Sequence, residues 1–205
     1  MSLPDQIPLP LKRALEAKGY AELTPVQSAM LEPDTAGADL LVSAQTGSGK
    51  TVAFGMAIAD TLLAGKDTLG MAVQPMALVV APTRELALQV RRELEWLYAD
   101  AGAKMASCVG GMEMRKEIRA LQQGAHIVVG TPGRLRDHIT RGSLDLEGLR
   151  AVVLDEADEM LDLGFREDLE FILDASPKER RTLMFSATVP AQIGKMAAKY
   201  QRDAM

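Results

Sequence analysis

Short runs of apolar, β-branched residues alternate with helix-like segments along most of this chain. The apolar runs occupy residues 39–43, 77–81, 105–109, 126–130, 151–154 and 182–185. Each run has the length of a buried strand, and the segments between them have the residue spacing of helices. We therefore predict an α/β fold with a mainly parallel central sheet and helices on both faces. Ligands of such folds bind at the carboxyl ends of the strands.

Two short helices are predicted before this alternating pattern begins. An amphipathic segment at 11–18 ends at Gly19, a common helix stop, and a second helix is expected to start near Thr24 and Pro25. The stretch 65–75 predicts a loop rather than a domain boundary. We interpret residues 1–205 as one domain.

Charge and cysteine usage limit the classes of ligand and compartment. The net charge of −5 argues against a ligand held by bulk positive charge, and the acidity is local. Residues 152–175 contain nine acidic side chains and one arginine, so this stretch is −8 and the rest of the chain is +3. No apolar run is long enough to span a membrane, so no membrane partner is expected. The chain has neither a membrane span nor an export pattern in its first residues, so we expect a cytoplasmic protein. Cys108 is the single cysteine, so no internal disulfide can form, and we expect this thiol to be buried in a strand.

A glycine-rich segment stands between the first predicted strand and a helical run that ends near residue 63. Its residues are Ala44, Gln45, Thr46, Gly47, Ser48, Gly49, Lys50 and Thr51. Glycines let successive backbone N–H groups face phosphate oxygens, Lys50 can reach the terminal phosphates, and Thr51 can offer a hydroxyl to Mg²⁺. Ala44 replaces the first glycine of the P-loop consensus. The alternative is a glycine-rich turn before a helix, which the flanking strand and helix disfavour.

Carboxylates follow directly after the apolar run at 151–154. Asp155 can hold Mg²⁺ together with Thr51, and Glu156 can orient and deprotonate an attacking water. The alternative is a solvated acidic helix start, which fits Glu159 and Asp162 better.

Apolar residues continue after these carboxylates at the spacing of a helix. This spacing predicts that all of them contribute to the core. They are Met160, Leu161, Leu163, Phe165 and Leu169.

Residues 155–158 read Asp-Glu-Ala-Asp, and with them the sequence resembles the first RecA-like domain of the DEAD-box RNA helicases. Four other motifs of that family are present, and they stand along the chain in the order typical of the family. They are Pro82-Thr83-Arg84-Glu85-Leu86-Ala87, Gly110-Gly111, Thr131-Pro132-Gly133-Arg134 and Ser186-Ala187-Thr188. The resemblance covers 27–188, nearly the whole chain. It implies a RecA-like P-loop NTPase domain of an ATP-dependent RNA helicase, with ATP and Mg²⁺ as cofactors.

For the nucleotide, the resemblance implies that Thr24 and Gln27 belong to an adenine-recognition segment within about 1–30, before a P-loop NTPase core at 31–205. The amide of Gln27 suits adenine because it donates and accepts hydrogen bonds at once. Without the motif, an exposed helix glutamine would be the ordinary interpretation. Residues 1–19 lack the aromatic side chain that the family usually stacks on the base.

For RNA, the resemblance implies sequence-independent contacts to the sugar-phosphate backbone from loops that follow successive strands. The candidates are Pro82, Thr83, Arg84, Gly110, Gly111, Thr131, Gly133 and Arg134. Backbone N–H groups and arginines suit phosphates, and 2′-hydroxyls distinguish RNA from DNA. The alternatives are a simple turn at 132–133 and an ion pair of Arg84 with Glu85 or with the acidic stretch.

Ser186 and Thr188 offer two hydroxyls that can bond Asp158 or Glu156 and couple the nucleotide site to the RNA side. The catalytic set implied by the resemblance is Lys50, Asp155, Glu156, Asp158, Ser186 and Thr188. The alternative for the two hydroxyls is a helix cap before Val189 and Pro190.

The resemblance also implies a second RecA-like domain of the same polypeptide, which closes over ATP and is absent from this chain. An arginine finger contributes about 10³–10⁵ in rate. We therefore expect this chain alone to bind ATP and RNA weakly and to hydrolyse little ATP. A second function remains open, that of a stand-alone, nucleotide-switched RNA-binding module that unwinds nothing. A DNA-directed relative is disfavoured by the signature at 155–158.

Overall fold

The structure is a computed structural model that describes residues 2–205. Six strands lie within these residues: β1 (Leu40–Ser43), β2 (Ala77–Val80), β3 (Met105–Cys108), β4 (Ile127–Gly130), β5 (Ala151–Leu154) and β6 (Arg181–Ser186). The helices are α1 (Leu9–Ala17), α2 (Pro25–Ala29), α3 (Lys50–Leu63), α4 (Arg84–Leu97), α5 (Met114–Gln122), α6 (Pro132–Arg141), α7 (Ala157–Asp162), α8 (Arg166–Ala175) and α9 (Ala191–Tyr200). Every strand predicted from the sequence is present, and 65–75 is a loop, as predicted.

All six strands form one parallel sheet in the order β1-β6-β5-β2-β4-β3. The predicted α/β fold is therefore confirmed. Since every strand runs in the same direction, all six carboxyl ends lie at one edge of the sheet. The order makes β1, β6 and β5 neighbours on one half of that edge, and β2, β4 and β3 neighbours on the other half.

Successive residues of each strand face opposite sides, and each side has its own core. In β2, Ala77 and Val79 pack into a core with α1, α3 and α4. Leu78 and Val80 pack into a second core with α6, α7, α8 and α9. Helices thus cover both faces of the sheet, as predicted. No helix in residues 2–205 combines the length and the apolar character needed to cross a bilayer.

The two short helices before the sheet are also confirmed. α1 is followed by Gly19 in a left-handed conformation (φ 85°), and Thr24 caps α2 by accepting a hydrogen bond from the Gln27 N–H. Cys108 is buried at the end of β3, as predicted.

One part of the predicted core is wrong. Met160 and Leu169 are buried, and Leu161 and Phe165 are half-buried, but Leu163 is 54% exposed. α7 ends at Asp162, and Gly164 turns the chain with a φ of 87° before α8 begins. Helical spacing therefore does not extend through Leu163, and its side chain faces solvent.

Candidate functional site

The loop after β1 leads into α3 through Gly49, whose φ is 78°. A Cβ at this position would overlap the side-chain amide of Gln27, so glycine is required for both conformation and space. Lys50 and Thr51 form the first turn of α3, and both are largely buried. The N-terminus of this helix presents backbone N–H groups and a positive dipole end, which favour an anion.

Lys50 lies between two carboxylates from the end of β5. Its Nζ is 3.0 Å from Oδ1 of Asp155 and 3.0 Å from Oε1 of Glu156. Burial alone would lower the pKa of Lys50, but the two carboxylates outweigh burial and raise it. Lys50 is therefore a fixed positive charge at the carboxyl edge of the sheet.

Asp155 is fully buried, and burial raises its pKa although Lys50 partly offsets this effect. Its Oδ1 lies 3.0 Å from Nζ of Lys50, whereas its Oδ2 has no side-chain partner among residues 2–205. A buried carboxylate oxygen without a partner is costly unless a cation or a hydrogen-bond donor is bound to it. Its oxygens are of the kind that Mg²⁺ prefers, so this residue fits a divalent cation.

Glu156 has a left-handed backbone (φ 52°), which is uncommon for a residue other than glycine and is often found at functional sites. It stands at the N-cap of α7 but makes no capping hydrogen bond. Its carboxylate instead accepts a hydrogen bond from Lys50 at 3.0 Å. The alternative of a simple acidic helix start therefore does not describe Glu156. Burial would raise its pKa, but hydrogen bonds with Glu159 and Lys50 lower it.

The end of β6 contacts the first turn of α7 through Thr188. Its N–H and its hydroxyl donate to Oδ2 of Asp158 at 3.0 and 2.9 Å, whereas Ser186 donates its hydroxyl to the Thr188 carbonyl at 2.5 Å. α9 starts at Ala191 without a side-chain cap, so the helix-cap alternative for the two hydroxyls is wrong. Burial would raise the pKa of Asp158, but the bonds from Thr188 outweigh this and lower it.

Gln27 and Thr24 hold the loop before α3 from the side. Nε2 of Gln27 donates to the Gly49 carbonyl at 3.1 Å, and Oε1 accepts from the Thr24 N–H at 2.9 Å. The Thr24 hydroxyl donates to the Ser48 carbonyl at 2.8 Å. Gln27 is only 1% exposed, so the alternative of an exposed helix glutamine is wrong. The sequence alone did not predict that this amide supports the glycine-rich loop. Adenine recognition stays a prediction.

A cleft opens between the loops that follow β1, β5 and β6. It is lined by Ala44, Thr46, Lys50, Glu156, Asp158, Glu159, Asp162 and Ala187. Gln45 and Gly47 lie in the same loop as Ala44 and Thr46. One half of the sheet edge thus brings together the residues predicted to bind and cleave a nucleotide.

The predicted RNA-contacting residues lie on the other half, after β2, β3 and β4. Pro82 is buried, and Thr83 caps α4 by accepting from the Leu86 N–H at 3.2 Å. Arg84 is exposed and makes no ion pair with any residue in 2–205, so the proposed pairing with acidic residues is not found. A Cβ on Gly111 would overlap the Arg84 guanidinium, so the loops after β2 and β3 approach each other closely.

The loop after β4 leads into α6, with Thr131 at the N-cap and Gly133 in open space. Arg134 donates through Nε to Glu117 at 2.7 Å and through Nη2 to the Met112 carbonyl at 2.6 Å. This ties the loop after β4 to the loop after β3, which contains Gly110 and Gly111.

Sequence analysis missed Glu117, which is 2% exposed. It is the only acidic residue of α5, and that isolation in an otherwise basic helix is the one signal the sequence offers. The side chains it contacts come from other elements, so its role appears only in the assembled fold.

A family model described as DEAD/DEAH box helicase matches residues 24–196 of this chain. The chain belongs to the DEAD/DEAH box helicase family. This confirms the family that the residues at 155–158 and the accompanying motifs indicated.

Two named relatives of the family are similar in sequence to this chain over nearly its whole length. The chain is 46% identical over 191 residues to the DEAD-box ATP-dependent RNA helicase CshA of Geobacillus kaustophilus, covering 93% of this chain and 40% of that protein. It is 46% identical over 190 residues to DEAD-box ATP-dependent RNA helicase 9 of Oryza sativa subsp. japonica, covering 92% and 30% respectively. The chain thus spans less than half the length of these curated relatives.

A solved DEAD-box structure has the same fold. The crystal structure of a DEAD box protein from the hyperthermophile Methanococcus jannaschii superposes with a TM-score of 0.84 at 37% identity. The match covers all of this chain and 53% of the other. The RecA-like interpretation of the sheet is therefore confirmed.

Proposed function

We propose that this chain is the ATP- and RNA-binding N-terminal half of an ATP-dependent RNA helicase. The observation that carries the proposal is the position of Lys50 between Asp155 and Glu156, which joins the glycine-rich loop to the family signature. The names of the relatives, all ATP-dependent RNA helicases, support it.

The triphosphate binds at the N-terminus of α3 in this proposal. Backbone N–H groups of the loop at 44–49 donate to phosphate oxygens, and Lys50 supplies a positive charge. Thr51 and Asp155 would hold Mg²⁺, which neutralises phosphate charge when it is bound. The buried Oδ2 of Asp155, which has no side-chain partner among residues 2–205, supports this assignment.

Glu156 orients and deprotonates the attacking water. Hydrogen bonds with Glu159 and Lys50 lower its pKa, so the carboxylate is ionised and able to accept a proton. Asp158, Thr188 and Ser186 connect the cleft to the end of β6, through which hydrolysis is coupled to the rest of the protein. Thr24 and Gln27 hold the phosphate loop and recognise adenine.

RNA lies along the loops after β2, β3 and β4 and contacts the protein through its sugar-phosphate backbone. The groups that support this are the exposed Arg84, the glycines at 110 and 111, and Arg134 at the start of α6. Contacts to the sugar-phosphate backbone do not distinguish one base sequence from another.

The proposal includes a second RecA-like domain of the same polypeptide that completes the ATP site. The part of each relative that this chain does not span leaves room for such a domain. We also propose a cytoplasmic location, since a single buried cysteine suits a reducing compartment. The placement of Glu156 beside Lys50 favours turnover over a module that only binds.

The test uses a two-domain protein in which a second RecA-like domain follows this chain. We expect Glu156→Gln to reduce ATP turnover by about 10²-fold or more, because removal of a general base costs about 10²–10⁴. RNA stays bound in the presence of ATP. Glu167→Gln, which removes the charge of an exposed carboxylate on α8, is the matched control. Unchanged turnover in Glu156→Gln would exclude its role, and turnover without unwinding in the two-domain protein would favour the binding module.

A further inference from the structure

The carboxylate of Glu117 joins the loop before Gly110 to α6. Its Oε2 accepts the Val109 N–H at 2.9 Å. Its Oε1 accepts from Nε of Arg134 at 2.7 Å and lies 2.9 Å from Nε2 of His138. A single side chain from α5 therefore contacts the loop after β3 and two residues of α6.

Arg134 is held by two of its three guanidinium nitrogens. Nε donates to Glu117 and Nη2 donates to the Met112 carbonyl, while Nη1 has no partner among residues 2–205. The Arg134 side chain keeps 19% of its surface exposed. A guanidinium fixed in this way retains donors for an outside acceptor and loses little conformational freedom when that acceptor binds.

Glu117 is ionised in this setting. Burial would raise its pKa, but bonds with His138, the Val109 N–H and Arg134 outweigh burial and lower it. The other ring nitrogen of His138, Nδ1, lies 2.7 Å from the Ser143 hydroxyl, and this contact fixes the orientation of the ring. The buried carboxylate is thus fully hydrogen-bonded, as a group that must hold its partners in one geometry needs to be.

We propose that Glu117 is a positioning residue for RNA binding, which orients Arg134 so that its unpartnered Nη1 donates to a backbone phosphate of single-stranded RNA. This inference rests on the proposed function, since it requires RNA at the loops after β3 and β4. Glu117 itself touches no RNA and acts through Arg134.

The direction in which Glu117→Gln changes RNA affinity distinguishes a positioning role of Glu117 from a simple electrostatic effect. Glu117→Gln removes a negative charge close to the proposed RNA site, so electrostatics alone would strengthen RNA binding. If Glu117 orients Arg134, the same change weakens RNA binding by roughly three- to tenfold, as expected for the loss of a charge-assisted phosphate contact. The probe is a fluorescein-labelled oligouridylate titrated with the 205-residue chain at low salt, read by fluorescence anisotropy.

The control is Glu113→Gln, which removes the same charge from an exposed position just before α5 and leaves RNA affinity unchanged or slightly higher. Binding of a fluorescent ATP analogue is expected to be the same in all variants and reports that the domain is folded. Should Glu117→Gln fail to fold, Glu117→Asp takes its place. It retains the charge, shortens the side chain, and weakens RNA binding in the same direction.

A double variant shows whether Glu117 acts through Arg134. Arg134→Ala weakens RNA binding about tenfold, and adding Glu117→Gln to it causes less than about a further twofold loss. Independent, additive losses overturn the inference, and so does a Glu117→Gln or Glu117→Asp protein with full RNA affinity. If Arg134→Ala itself leaves RNA affinity unchanged, the proposed RNA role of this edge fails instead.

Discussion

Thr188 donates both its hydroxyl and its backbone N–H to Oδ2 of Asp158, at 2.9 and 3.0 Å, and so connects the end of β6 to the first turn of α7. Asp158 follows the two carboxylates that face Lys50, so this contact lies at the margin of the nucleotide cleft. Two hydrogen bonds thus link the end of β6 to the signature at 155–158.

We expect Thr188→Val to lower the free energy of unfolding at pH 7 by about 0.5–1 kcal/mol, a small value because the bond is solvent-exposed. Thr188 lowers the pKa of Asp158, so its stabilisation is present above the unfolded pKa and is lost as pH falls through the lower folded pKa. The difference between the two proteins therefore shrinks below about pH 3.9. Urea titrations from pH 7 downward measure it. Thr188→Ser keeps the hydroxyl and serves as control, and a difference that is the same at all pH values would contradict this account.

Asp155→Asn is expected to reduce the dependence of nucleotide affinity on Mg²⁺. The buried carboxylate is the group that suits the cation, and an amide has no charge to offer it. In the unchanged chain, Mg²⁺ strengthens binding of a fluorescent ATP analogue, and we expect Asp155→Asn to weaken the Mg²⁺-dependent part by about tenfold. Asp174→Asn, exposed on α8, is the control. An Asp155→Asn protein that responds to Mg²⁺ as strongly as the parent would show that another group holds the ion.

Gln27→Ala separates two roles of the same amide. Loss of its bonds to Gly49 and Thr24 loosens the phosphate loop and lowers affinity for every nucleoside triphosphate. If the amide also recognises adenine, affinity for ATP falls further than affinity for GTP. We expect this unequal loss, measured by competition of ATP and GTP against a fluorescent nucleotide. Equal losses for both nucleotides would restrict Gln27 to the support of the loop.

Gly55→Ala is expected to destabilise the domain by about 1–2 kcal/mol, because overpacking outweighs the better helix propensity of alanine. A Cβ at Gly55 would lie 2.6 Å from Cδ2 of Leu97, on the buried face where α3 meets α4. Gly194 in α9 provides the matched comparison, since a Cβ there meets no atom within 4 Å. Gly194→Ala should stabilise by about 0.5–1 kcal/mol. Urea denaturation of both variants checks the pair, and equal effects of the same sign would contradict the packing argument.

The alternating elements could be predicted because each strand and helix is specified by local apolar spacing. The motifs could be placed at strand ends because each directly follows an apolar run. The order of the strands could not be predicted, because pairing of β1 with β6 joins residues far apart in the chain. Leu163 was assigned to the core because periodicity does not show that α7 ends at Asp162.

Contacts between side chains from distant elements could not be predicted from the sequence either. Gln27 and Lys50 were recognised by motif, yet their contacts with Gly49 and Glu156 depend on tertiary folding. Glu117 belongs to none of the family motifs named above. Its contacts could not be predicted, because the loops after β3 and β4 meet at its carboxylate only in the folded protein.

The strand order has a practical consequence for genetics. Residues proposed to bind the triphosphate follow β1, β6 and β5, and residues proposed to bind RNA follow β2, β4 and β3. The two groups of strands meet only at the β5–β2 pair. Lesions on one side should therefore spare the other, so that a random mutant library sorts into two phenotypic classes. Alleles defective in both should concentrate at the proposed coupling residues Asp158, Ser186 and Thr188 and where the Asp155 N–H meets the Val80 carbonyl.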